Sequence, residues 1–355
     1  MRALFVGTGS HVPEQVTNET LFKKFHDVSN GTRPCNRDGK PLNPDWPERY
    51  FGIKSRCLDL SETAMSDTDL AVKASSLAMK NGNVYPLEIG TIIHVSQTPD
   101  ALHFQTHMAA MIERLGLPTH VHAIYLDIGC AALGPAFREV QANLLLEPDK
   151  YVLLVCSQCV SPLVNNAQQL CSYLMHPTEP FAWLQAGTVF SDAAAAVVCK
   201  LVDNEQKRGI LRVWSGCNPK GMIATFENGF YLMNGEFVRK NFVLTMTNLF
   251  NRLKEEWNQY ILPLTKRAFS IDQVKRWYFH QANAVLIKEA IAALNLPSKA
   301  VPFIVQTEGN SSAVSTLRLL DSDRRQGIVE SGDLVVCFWT GAGNGAQYGY
   351  SIAMI

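Results

Sequence analysis

Three short segments of the 355-residue chain carry residues whose types and spacing could do chemistry. In Asp127-Ile-Gly-Cys-Ala-Ala-Leu-Gly134, small residues from Gly129 to Ala132 separate an apolar segment from a helical stretch, which suits a tight strand-to-helix turn. A thiolate at Cys130, beside a helix N-terminus, would gain from the helix dipole and free backbone N–H groups, as nucleophilic thiol catalysis requires. Unpaired cysteine is also among the most buried residue types, so Cys130 reads equally as a packing residue. In Phe279-His-Gln-Ala-Asn283, His280 ends an apolar strand just before a helix, and strand ends in α/β folds face the crevices where ligands bind. A lone His is nonetheless more often a satisfied structural group. In Glu308-Gly-Asn-Ser-Ser-Ala313, Asn310 taken alone reads as a cap for the following helix.

The elements that must position these residues follow from hydrophobic periodicity. Apolar runs predict buried strands at 2–7, 90–96, 150–157, 193–200, 276–279 and 333–339. Helical spacing predicts helices at 67–80, 104–115, 132–146, 236–256, 282–294 and 311–320. The alternation is that of an α/β protein with mostly buried sheets. The two halves can be laid over one another, each with a strand, a helix-opening turn bearing chemistry and a closing apolar strand, which suggests an internal duplication with halves at 1–230 and 231–355. The Pro-rich stretches 29–50 and 161–185 read as long surface excursions of the kind that form binding loops or lids.

Composition narrows the function class. Charged residues are 18%, hydrophobic residues 47%, and 32 basic residues balance 32 acidic ones, so there is no bulk charge with which to read nucleic acid or an anionic membrane. Nine cysteines without a repeated spacing read as reduced thiols. With no signal-like N-terminus and no membrane-length apolar run, a soluble cytoplasmic protein is expected. Gly7-Thr-Gly9 imitates a dinucleotide fingerprint but lacks its third glycine. Cys156 and Cys159 have redox spacing without a helix-start context, and the pairs His120/His122 and His103/His107 lack further ligands, so no metal and no cofactor is expected.

Together the motifs are more specific than any one alone. A thiol turn, His280-Gln-Ala-Asn283, Gly309-Asn-Ser-Ser-Ala313, Phe190-Ser-Asp-Ala-Ala194, Gly341-Ala-Gly343 and Phe51-Gly-Ile-Lys-Ser-Arg56, in that combination, resemble the thiolase superfamily and within it β-ketoacyl-ACP synthase III. The resemblance implies an αβαβα five-layer fold built from two duplicated halves and a homodimer. It implies acyl transfer from an acyl-CoA or acyl-carrier-protein thioester to a cysteine, then decarboxylative Claisen condensation in which His280 and Asn310 hold the enolate. Relatives that form esters or amides tend to alter the His or the Asn, so retention of both favours carbon–carbon bond formation. Counting from Asp127 and from Gly134 places the family's nucleophile at Ala132. Three readings stand: an engineered Cys-to-Ala change, which is favoured, a naturally inactive partner subunit, or a shifted turn in which Cys130 attacks. The resemblance also implies an oxyanion N–H from the Gly341–Gly343 loop, a carrier-stacking role for Trp46 beside Arg49, and an acyl-tunnel role for Phe104. Tyr50 stands where the family has Arg, which is compatible with a carrier-protein-bound substrate, and Trp46 reads as readily as an aromatic packed beneath the Pro-rich loop. The long loops, Tyr50 and Ala132-Leu133 suggest specialised lipid or polyketide metabolism.

Overall fold

The computed structural model describes residues 1–28, 41–100, 106–166, 187–203, 205, 207–221, 224–227, 230–233, 235–343 and 345–355. The strands are β1 (Arg2–His11), β2 (Gln15–Thr17), β3 (Ser55–Cys57), β4 (Ile89–Val95), β5 (His122–Leu126), β6 (Tyr151–Gln158), β7 (Ala193–Val202), β8 (Gly209–Asn218), β9 (Ala224–Glu227), β10 (Phe230–Met233), β11 (Val274–Phe279), β12 (Leu334–Gly343) and β13 (Gly345–Met354). The helices are α1 (Asn18–Val28), α2 (Trp46–Phe51), α3 (Asp67–Gly82), α4 (Thr106–Leu115), α5 (Leu133–Leu146), α6 (Ser161–Asn165), α7 (Gly235–Glu256), α8 (Leu262–Thr265), α9 (Ala284–Ala293), α10 (Val305–Glu308) and α11 (Val314–Arg325). Every strand and helix expected from periodicity forms within a few residues of its expected limits, except that 101–105 lie outside the described residues.

Two main sheets run in the orders β1-β7-β6-β4-β5 and β11-β12-β13-β8. From β1 the first pairs antiparallel, antiparallel, parallel, parallel. From β8 the second pairs antiparallel, antiparallel, parallel. The sequence β1-β7-β6-β4 is thus repeated as β8-β13-β12-β11, which is the duplication written in hydrogen bonds. The boundary expected at residue 230 is corrected by the same pairing: β8 ends at Asn218 yet belongs to the second sheet, so the chain passes between sheets after β7.

Both sheets are covered on both faces, which is why their strands read as near-continuous apolar runs. Along β6, Val152, Leu154 and Cys156 point to the central layer, where they meet α5 and α11, while Leu153 and Val155 point outward to α3 and α4. Along β12, Val335, Cys337 and Trp339 face the same central helices, and Val336 and Phe338 face α7 and α9. The layers are therefore α3/α4, first sheet, α5/α11, second sheet, α7/α9. α3 is started by a capping box between Ser66 and Asp69 and stopped by Asn83 in the left-handed region.

Gly7 and Gly9 serve this packing. A Cβ on Gly7 would lie 2.2 Å from the Ala78 carbonyl oxygen, and one on Gly9 would lie 2.4 Å from the Ala78 nitrogen, so β1 can lie against α3 only without side chains there. The pair that imitates a phosphate loop is a strand-to-helix contact. Gly7→Ala is expected to cost about 1–3 kcal/mol through overpacking against backbone, read as a lower denaturant midpoint; an unchanged midpoint would show that α3 can move away freely.

Candidate active site

The turn between β5 and α5 sets the first functional group. The Ala132 amide donates to the Gly129 carbonyl at 2.9 Å and the Ala136 amide donates to the Ala132 carbonyl at 2.9 Å, so Ala132 is already winding into the helix as its N-cap. Its methyl is fully buried in the central core. Cys130, two residues earlier, is partly exposed and lines a cavity of about 990 Å³ together with His280, Asn310 and Gly341. β12 crosses directly over the thiol: a Cβ on Gly341 would lie 2.3 Å from the Cys130 Cβ.

His280 continues the parallel ladder past the end of β11, its amide donating to the Phe338 carbonyl at 2.8 Å. Its Nδ1 lies 3.2 Å from the Ser312 carbonyl, which accepts only, so Nδ1 carries the proton there and Nε2 is left to face the thiol. Gln281 is a buttress, accepting the Ile304 and Val305 amides and donating to the Phe279 carbonyl. Asn283 caps α9 by accepting the Leu286 amide at 2.9 Å.

Asn310 does not cap a helix, because α11 begins after Ala313 without a side-chain cap. Its Nδ2 donates to the Ala282 carbonyl at 3.2 Å and its Oδ1 accepts the Ser312 amide at 2.9 Å. Its backbone is pinned between Val189 and Ser191, and Gln158 donates to its carbonyl. The second Nδ2 hydrogen remains for the cavity. Asp192 of the neighbouring motif stays outside the site, holding the start of α6 by accepting from the Val160 and Ser161 amides.

The thiols differ sharply in electrostatics. Burial pushes Cys57 and Cys337 up to about 12. Cys156, Cys159 and Cys199 are raised by the same cause, so the Cys156/Cys159 pair consists of inert buried thiols. At Cys130 burial also pushes upward, but the charge of His280 and hydrogen bonds from His280 and Ser312 outweigh it, and its thiol sits below the ordinary value. Such a group, next to a basic partner in a cavity, is a functional-site candidate on physical grounds.

Trp46 lines the cavity but is nearly buried, edge-on to Phe51 at 5.3 Å and tilted against Tyr50 at 5.6 Å. Arg49 lines the mouth, with its guanidinium 3.8 Å from Asp45. Phe104 lies outside the described residues. Gly343 ends β12 opposite Gly345. Ser312, Gln97 and the α7 wall of Asn241, Thr245 and Asn248 escaped the sequence reading. The last three are spaced i, i+4, i+7, a polar stripe on one helix face that periodicity could have found. Among the described residues, no three His, Cys, Asp or Glu side chains gather as a metal would need, and no helix is long and apolar enough to cross a membrane.

The chain is similar to known proteins over nearly its whole length. The family described as 3-oxoacyl-[acyl-carrier-protein (ACP)] synthase III C terminal matches residues 264–353. β-Ketoacyl-[acyl-carrier-protein] synthase III of Geobacillus kaustophilus is 26% identical over 353 residues, covering 98% of this chain and 97% of that protein. Residues 264–353 therefore match the synthase III C-terminal family, and over nearly its whole length the chain is similar to β-ketoacyl-ACP synthase III. The 3-oxopimeloyl-[acyl-carrier-protein] synthase of Rhodothermus marinus is 29% identical over 320 residues, covering 85% of this chain and 83% of that protein. Among solved structures, a variant of Xanthomonas campestris OleA superposes with a TM-score of 0.81 at 15% identity, over 100% of this chain and 99% of that one. FabH from Pseudomonas aeruginosa superposes at 0.76 with 20% identity, over 100% and 98% of the two chains.

Within this synthase III-like chain, the placement of Ala132 departs from the sequence count. Residue 132 is turned into the core and its amide is already bonded, whereas residue 130 meets His280 and Ser312 at the cavity floor. In the pH profile of iodoacetamide labelling followed by peptide mass, the Cys130 midpoint should lie below the ordinary thiol value, because a depressed pKa leaves thiolate present at lower pH. His280→Ala should move that midpoint upward. A Cys130 midpoint at the ordinary thiol value, unchanged in His280→Ala, would remove the ion-pair assignment.

Proposed function

We propose that the chain is a condensing acyltransferase that loads an acyl group onto Cys130 and joins it to the enolate of a malonyl-type or β-ketoacyl thioester, with an acyl-CoA or acyl-carrier-protein thioester as donor. The observation that carries this reading is the convergence on one cavity floor of a thiol with a lowered pKa, the imidazole of His280 and the free carboxamide hydrogen of Asn310.

The residues support a balanced sequence. The Cys130 thiolate attacks the acyl thioester, the carbon–sulfur bond to the carrier breaks, and the proton on His280 Nε2 passes to the departing carrier thiolate. His280 then takes a proton from solvent. A malonyl-type thioester loses carbon dioxide, and its enolate oxygen is held by His280 Nε2–H and Asn310 Nδ2–H. The enolate carbon attacks the acyl-Cys130 carbonyl, the carbon–carbon bond forms, the carbon–sulfur bond breaks, and the thiolate returns beside protonated His280. With Cys130 as acyl acceptor, no engineered change at 132 has to be invoked, and the inactive-partner reading loses its premise.

Intact mass after incubation with acyl-CoA thioesters of graded length tests the nucleophile. The chain as it stands should take one acyl adduct, Cys130→Ala should take none, and Ala132→Cys should leave the adduct on residue 130. An adduct that appears only with Ala132→Cys would overturn the assignment. Asn310→Ala should keep acylation and lose at least about a hundredfold in carbon dioxide release from a malonyl thioester. Acyl transfer to an alcohol or amine without carbon dioxide release would instead establish the ester- or amide-forming alternative.

The same reading includes a homodimer. β5 ends its sheet with its outer side unpaired among the described residues, and Ala123 to Leu126 are only half-buried, the kind of edge that a second chain covers. Light scattering should return about twice 39.4 kDa; a monomer at micromolar concentration would reject it.

A further inference from the structure

Ser312 has no part in the reaction sequence above, yet it touches every member of the site. Its Oγ donates to the Cys130 sulfur at 3.3 Å, its amide donates to Asn310 Oδ1 at 2.9 Å, and its carbonyl lies 3.2 Å from His280 Nδ1. Ser315 Oγ donates to the same carbonyl at 2.8 Å. The backbone of Ser312 is left-handed, with φ of 56°, although it is not glycine. Such a conformation costs an ordinary residue free energy and persists only where the surroundings hold it, which makes it a marker of function. Here the left-handed turn is what lets one residue send its amide back to Asn310, its carbonyl to His280 and its hydroxyl across to the thiol. Ser312 is nearly buried, so its hydroxyl donates in a low-dielectric setting where a hydrogen bond to sulfur anion counts for more than in water.

We propose that the Ser312 hydroxyl is the second thiolate-stabilising donor of this site, sharing with His280 the negative charge on Cys130 and holding the sulfur in the attacking position. The inference rests on the reading of Cys130 as nucleophile. Charge-assisted hydrogen bonds are about twice as strong as neutral ones, so the donor favours the ionised sulfur over the thiol. Once Cys130 is acylated the sulfur carries no charge and the bond weakens; when condensation expels the thiolate, the bond is restored. The hydroxyl thus favours both steps at which sulfur holds the electron pair.

The test compares Ser312→Ala and Ser312→Gly with the unaltered chain. Both variants lose the hydroxyl, but glycine relieves the left-handed backbone and alanine does not. The readout is the pH midpoint of Cys130 labelling by iodoacetamide, located by peptide mass, together with acyl-adduct formation from acyl-CoA. Both variants should raise the midpoint by about one unit, which makes labelling at pH 7 about tenfold slower, whatever their difference in thermal stability. Ser315→Ala, which removes a hydroxyl bonded to the Ser312 carbonyl but not to sulfur, should leave the midpoint in place. A shift in Ser312→Ala without one in Ser312→Gly, or an equal shift in Ser315→Ala, would assign the effect to backbone geometry and overturn the proposal. Normal acylation with unmoved midpoints would sink the proposal alone, whereas moved midpoints without any acyl adduct on Cys130 would sink the reading on which it rests.

Discussion

The contact on which the site depends is the passage of β12 over Cys130 at Gly341. A side chain of any size at 341 would occupy the space of the Cys130 Cβ, so the second sheet can close over the turn of the first half only at a glycine. That closure brings the two halves to within hydrogen-bond reach of one another: the turn before α5 supplies the thiol, while the end of β11 and the loop before α11 supply His280, Asn310 and Ser312. Gly134 does the same one turn further on, where a Cβ would press on Ser215 and Trp339. Widening either contact would separate the thiol from the groups that make it reactive, with both halves still folded.

The duplication explains why these groups share one place. In each half a parallel pair of strands, β4/β6 and β11/β12, lies beneath a central helix, and α5 and α11 are packed together between the sheets. Cys130 lies three residues before α5, and Ser312 lies two residues before α11; the 3.3 Å bond between their side chains brings the two helix starts together. The positive ends of both helices therefore flank the sulfur, adding to His280 and Ser312 a field that favours negative charge. Neither half alone could supply it.

Much of this was legible in the sequence, for physical reasons that also mark where legibility ended. Strands buried on both faces leave apolar runs, and β1, β6, β7 and β12 could be read from them. β8 and β13 carry Arg212, Ser215, Gln347 and Ser351 among their apolar residues, because they approach the sheet edge and the cavity, and they left no run to read. His280 and Asn310 could be read because each sits in a motif with its own local structure. The residue count from Asp127 could not reveal that the chain winds into α5 already at Ala132, turning that side chain toward the core. Ser312 could not be read because nothing in its residue type announces a left-handed backbone; only the bonds around it require one.

Under the proposed reaction, the same donors impose an order of events. The cavity floor concentrates groups that favour one negative charge: His280, the Ser312 hydroxyl, the free Asn310 hydrogen and two helix N-termini. With Cys130 present as thiolate, that charge is already in place, and an enolate generated beside it would meet a like charge in a low-dielectric site, which is costly at close range. Acylation neutralises the sulfur and releases His280 and the helix dipoles for the next anion. Decarboxylation is thereby tied to the presence of the acyl group that the enolate must attack, and condensation hands the charge back to sulfur as the enolate is consumed. The restriction to a single anion therefore protects the malonyl-type substrate from unproductive loss of carbon dioxide, with no need for a separate gate.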